Sequence, residues 1–134
     1  MKGLVPMLLV IFLLQATGVW ASDAADLALR GATLQEQGKP DQAEQALRQC
    51  LEFDPHNVFA MNRLGLSLLR QGRFEAAKVW FSRAAADDVT DTFSRIWLGA
   101  LDLQEQNEDA ARKRFAEVLE RAPAADDREP FARL

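Results

Sequence analysis

The sequence predicts an all-α chain of stacked helix pairs, and three observations carry that prediction. A unit of 34 residues recurs three times without a gap, as 24–57, 58–91 and 92–125. Small residues return at fixed places in each unit: glycine eighth (Gly31, Gly65, Gly99) and alanine twentieth (Ala43, Ala77, Ala111). Glycine or proline then stands where a helix must stop, at Gly38, Gly72, Pro55 and Pro123. A fixed period with small residues at matched places means two helices per unit that cross closely where bulk is missing, with larger side chains around the crossing.

The elements follow in order. Met1-Lys2-Gly3 gives a short positive start and Leu4 to Leu14 an apolar run of the length of a secretory h-region. Gln15-Ala16-Thr17-Gly18 breaks it, and Val19 and Ala21 occupy the small-residue positions of a cleavage site before Ser22. Residues 1–21 are therefore expected to be a signal-peptide helix cleaved after Ala21. An uncleaved N-terminal anchor is the alternative, because counting through Trp20 lengthens the run toward the roughly 20 residues that span a bilayer. No cysteine follows the run, which excludes a lipoprotein signal.

Within each unit the first helix ends at position fifteen, where Gly38 and Gly72 suit a left-handed residue, and Lys39-Pro40 or Arg73-Phe74 opens the second helix. Asn107 is expected to take over this turn in the third unit, since Asn tolerates left-handed geometry and also caps helices. The crossing is lined by Leu47, Phe81 and Phe115 at position twenty-four and by Cys50, Ala84 and Val118 at twenty-seven. Residues 126–134 remain as a short C-terminal tail, polar through Asp126-Asp127-Arg128-Glu129 and apolar again at Phe131 and Leu134.

Composition narrows the function. Charged residues are 27% and hydrophobic ones 49%, so the chain can bury a core and is not a multi-span membrane protein. Net charge is -4, and losing Lys2 with the leader leaves 15 basic residues against 20 acidic, which makes nucleic acid a poor partner. One cysteine, Cys50, forms no internal disulfide, and with a single histidine, His56, it offers no structural zinc set.

The period, with its Gly, Ala, aromatic and Pro positions, resembles the tetratricopeptide repeat family over 24–125. The resemblance implies a right-handed solenoid of three helix-turn-helix repeats, six main helices in all, over residues 22–125. It departs from the family pattern in the third unit: Arg95 replaces a bulky apolar residue (Leu27, Met61) at position four while Trp97 falls two residues later, and Asp102 replaces Leu34 and Leu68 at position eleven. Val89 stands where Pro55 and Pro123 close the other units.

In that family the first helices line a concave wall at positions two, five, nine, twelve and thirteen. Carried over, the wall comprises Phe59, Asn62, Leu66, Leu69 and Arg70, then Phe93, Ile96, Ala100, Leu103 and Gln104, with Ala25, Ala28, Ala32, Gln35 and Glu36 from the first unit. Partner binding is expected at Phe59, Asn62, Leu66, Leu69, Arg70, Phe93, Ile96, Leu103 and Gln104. Burying one such phenylalanine on a partner contributes roughly 1.5–3 kcal/mol before association costs.

Chemistry-bearing residues are sparse. His56 lies in an inter-repeat turn without a second histidine or nucleophile, Asp87-Asp88 and Asp126-Asp127 lack the spaced oxygens of a calcium loop, and Cys50 falls at an interior position. No phosphate loop or serine elbow is present. The expectation is an exported binding module rather than an enzyme, with no cofactor or metal. It would be periplasmic or secreted and most simply bacterial, and would hold a protein or peptide in envelope assembly, secretion or export. The alternative is a holdase-like or structural subunit, a homo-oligomer among its forms, and membrane contact is confined to the leader.

Overall fold

A computed structural model describes residues 23–121. The expected leader, its cleavage site and the tail 126–134 lie outside the described residues. All described secondary structure is helical. Helix α1 covers 23–36, followed by α2 (Pro40–Phe53), α3 (Val58–Arg70), α4 (Phe74–Asp87), α5 (Thr92–Gln104) and α6 (Glu108–Arg121).

Each hairpin closes by the same chemistry. Gly38 and Gly72 take φ of +71° and +73°, which lets Lys39 N–H reach the Leu34 carbonyl and Arg73 N–H the Leu68 carbonyl, both at 2.9 Å. In the third hairpin Asn107 N–H reaches the Asp102 carbonyl at 2.8 Å. Here the expectation for Asn107 is corrected: the left-handed residue is Gln106, at φ +61°. The geometric demand stays on position fifteen whatever residue fills it, at about 1–2 kcal/mol for a side chain with a Cβ. Asn107 supplies the other half of the job, its Oδ1 accepting Ala110 N–H at 3.3 Å to cap α6.

The first helices also have sound starts. Asn57 Oδ1 accepts Ala60 N–H at 2.9 Å, and the Asp91 carboxylate accepts Phe93 and Ser94 N–H, each at 3.3 Å. Pro40 opens α2 at its first turn, where a missing N–H costs nothing.

The eighth-position glycines mark where paired helices touch. A Cβ on Gly31 would sit 2.5 Å from Leu47, and on Gly65 or Gly99 it would sit 2.7 Å from the ring of Phe81 or Phe115. The core runs through these crossings, with Leu47, Met61, Leu64, Leu68 and Phe81 wholly buried. Cys50 is buried and free; burial first, and Asp54 beside it, push its thiol pKa up, so the reactive thiolate is disfavoured.

Polar joints tie successive hairpins. Glu44 of α2 accepts Arg73 at 2.9 Å and Gln71 at 3.0 Å, and Gln35 of α1 donates to Ser67 of α3 at 2.8 Å. The two departures in the third unit are accommodated. Buried Arg95 donates to the backbone carbonyls of Asp91 and Ala85, and Trp97 stacks on Phe81 with centroids 6.1 Å apart. Asp102 is buried yet paired, at 2.6 Å from Arg114 Nε and 3.3 Å from Lys78 Nζ, while Lys78 also meets Glu105 at 2.7 Å. Burial raises the Asp102 pKa, but the hydrogen bond and charge of Arg114, followed by those of Lys78, outweigh it and hold the carboxyl below the usual range.

Candidate functional site

Helices α3 and α5 belong to the first-helix layer, and between them lies an apolar cavity of about 390 Å³. Its walls are Phe59, Leu66 and Phe93, with Asn62, Arg63 and Asp91 as polar neighbours. Phe59 is 47% exposed and Phe93 41%, high for phenylalanine. Each is fixed from behind. The Arg63 guanidinium lies 5.1 Å from the Phe59 ring centroid, and Phe93 packs against Phe81 and Trp97 at 6.5 and 6.3 Å.

Asn62 is the unusual member. It is only 8% exposed, and its Nδ2 donates to Asp91 Oδ2 at 2.8 Å. A carboxylate acceptor fixes which end of the amide is nitrogen, so Oδ1 is an acceptor by necessity, and it has no hydrogen-bond partner. A buried polar atom left unpaired costs about 1–3 kcal/mol. The site therefore offers two half-exposed aromatic faces for an apolar group.

Of the nine residues expected from the sequence, this cavity gathers four: Phe59, Asn62, Leu66 and Phe93. Asn62 is not an exposed wall residue as expected, because the N-terminal cap of α5 covers it. Leu69 is half-buried against the core, and Arg70 donates to the Gln35 carbonyl at 2.6 Å, which ties it to α1. Ile96, Leu103 and Gln104 are exposed but do not line the cavity, and Leu103 borders a different groove formed with α6. Ala28, Ala32 and Gln35 of the first unit are buried. Arg63 and Asp91 were missed; both stand beside wall positions, and only their neighbours in space reveal their part.

The chemistry-bearing residues have structural partners. His56 Nδ1 lies 2.9 Å from Asp87 Oδ2 on the surface, and Asp88 Oδ1 accepts both Thr90 N–H and its hydroxyl. Among the described residues no cluster of His, Cys, Asp or Glu is arranged to hold a metal ion, and no helix is long and apolar enough to cross a membrane.

No curated protein matches the chain by sequence. The tetratricopeptide repeat family profile matches residues 34–97. Among solved structures, the second such domain of Spaghetti (RPAP3), bound to the HSP90 peptide SRMEEVD, superposes with a TM-score of 0.73 at 18% identity, covering 78% of this chain and 96% of that one. The first domain of the same protein, bound to the same peptide, gives 0.72 at 25% identity, covering 77% and 82%. The Yersinia enterocolitica type III secretion chaperone SycD, in complex with a peptide of the translocator YopD, gives 0.71 at 16% identity, covering 76% and 78%. The described helices thus form a tetratricopeptide-repeat solenoid, and residues 34–97 carry the sequence signature of that family.

Proposed function

We propose that the chain is an exported protein-interaction module that holds a segment of another polypeptide on its first-helix layer, without catalysis of its own. The observation that carries this reading is the apolar cavity between the half-exposed rings of Phe59 and Phe93. An apolar side chain of the partner would fill the space between the rings. The first domain of Spaghetti, at 25% identity, holds a peptide, which supports the reading. Export rests on the sequence of residues 1–21, and places the partner in envelope assembly, secretion or export. An intact mass of the exported protein that still includes Met1 to Ala21 would contradict cleavage.

The test is in-cell crosslinking followed by affinity purification of the wild type and of Phe59→Asp. Phe59 is the better site because its ring faces the cavity without contacting Phe81, so the helical circular dichroism of the variant is expected to match the wild type. One dominant partner recovered by the wild type and lost by the variant supports the proposal. Equal recovery by both rejects the cavity as the binding site, and many weak clients in place of one partner reject a dedicated ligand.

A further inference from the structure

Charge around the Phe59–Phe93 cavity is one-sided, in a chain whose net charge is -4. The carboxylate at its wall is Asp91, and both oxygens are already occupied: Oδ2 accepts Asn62 Nδ2 and Ser94 N–H, and Oδ1 accepts Phe93 N–H. The cation at its wall is Arg63, half-buried, with its guanidinium over the Phe59 ring. Its side chain donates to Gln35 Oε1 at 3.5 Å, the outer limit for such a bond. Among the described residues it forms no ion pair.

Arg70 repeats the pattern two turns further along the same side of α3. It donates to the Gln35 carbonyl and also meets no carboxylate. Elsewhere the chain neutralises its cations in place: Arg48 and Arg73 share Glu44, and Lys78 and Arg114 share Asp102. A half-buried guanidinium has lost part of its water, so a carboxylate brought to it is held more strongly than at an open surface. The Phe59 ring attracts the cation but takes no strong hydrogen bond, which leaves most of the N–H donors of Arg63 for an oxygen.

We infer that the segment held at this cavity carries an aspartate or glutamate side chain beside its apolar anchor, and that Arg63 selects the segment by pairing with that carboxylate. The inference rests on the cavity being the place where a polypeptide is held. The spacing fits. Phe59 and Arg63 are one helical turn apart, about 6 Å between their Cβ atoms, and an extended segment returns side chains to one face about every 7 Å. An acidic residue two positions from the anchor therefore reaches Arg63 while the anchor lies between the rings. Arg63 is thus a specificity-determining residue, and Phe59 and Phe93 supply the affinity that any apolar anchor would share.

The probe is a library of random dodecapeptides displayed within a surface loop of a carrier protein, so that neither peptide end is free, and selected on the full chain. The wild type is expected to enrich an apolar residue with Asp or Glu one or two positions away. Arg63→Glu should keep the apolar residue and enrich Lys or Arg in the acidic place, and Phe59→Asp should enrich neither. An apolar consensus without an acidic neighbour, or an acidic preference that persists in Arg63→Glu, would overturn the inference and leave the cavity as the binding site. No consensus from the wild type, or the same consensus from Phe59→Asp, would overturn both. A synthetic peptide of the enriched sequence, amidated at its C-terminus, should bind Arg63→Ala about tenfold more weakly than the wild type, with the difference shrinking in high salt. Equal affinity for the two proteins would likewise overturn it, and Arg63→Ala gives this reading without placing a reversed charge beside Phe59.

Discussion

The middle and last hairpins share a backbone plan and differ in what covers them. In α3–α4, Leu68 and Phe81 are wholly buried, Leu69 is half-buried, and Trp97 and Phe93 close over Phe81 from the next helix. In α5–α6, the equivalents are Asp102, Phe115 and Leu103, and within α6 only Ala111 is fully buried. A solenoid repeat is stabilised by both neighbours, and among the described residues α3–α4 is packed on one side by α2 and on the other by α5. The last hairpin compensates with charge: Asp102 draws Arg114 and Lys78 onto itself and joins α4, α5 and α6 at one point.

The largest expected effect breaks the comparison at position twenty-four. Phe81→Ala should cost about 3–5 kcal/mol in urea unfolding, as a wholly buried ring replaced by a void. Phe115→Ala should cost about 1–2 kcal/mol, because part of that ring already meets water. Equal losses would mean that the last hairpin is as fully covered as the middle one.

Position eleven comes next. Asp102→Ala leaves Lys78 and Arg114 without their shared carboxylate and should cost about 1.5–3 kcal/mol, whereas Asp102→Leu, which restores the residue type of Leu68, should recover most of that loss. The native pair also sets an acid limit. The folded carboxyl has the lower pKa, so its contribution is complete above the ordinary aspartate value, about 3.9, and is lost as pH falls through the lower folded value. Unfolding midpoints below about pH 4 should therefore fall more steeply for the wild type than for Asp102→Leu.

The smallest effect compares the caps. Asn57→Ala removes one capping bond from α3 and should cost about 1 kcal/mol. Asp91→Ala removes the cap of α5 and the only partner of the Asn62 amide, so it should cost more, about 2 kcal/mol. Thermal unfolding of the two variants side by side would show the difference, and matching values would mean that the Asn62–Asp91 bond contributes nothing.

The helix plan was legible because the residues that set it act locally. Gly38 and Gly72 are demanded by their own φ, and Gly65 by the ring opposite, so identity at fixed spacing was enough. Gln106 was not legible, since a left-handed residue with a side chain is held by the turn and gives no sign in its type. The binding wall was only half legible. Position numbers assign a residue to a face, but whether that face is open depends on the following helix. That is why Asn62 is covered by the start of α5, while Arg70 is tied back to Gln35 of α1 and Leu103 borders a groove with α6. The role of Asp91 arises from a contact across 29 residues, which no local pattern encodes, whereas Arg63 reaches Phe59 one turn away on the same helix.

Phe59 and Phe93 stand on consecutive hairpins, joined there by the Asn62–Asp91 bond, whereas within each hairpin glycine lets the helices seat hard against an aromatic ring. The two rings are therefore held at a spacing set by the junction between hairpins, where Phe81 also meets Phe93 and Trp97 and Lys78 meets Asp102. A change in the angle between the two hairpins would thus change the gap between the rings, which makes the packing around Phe81 a determinant of the cavity's width.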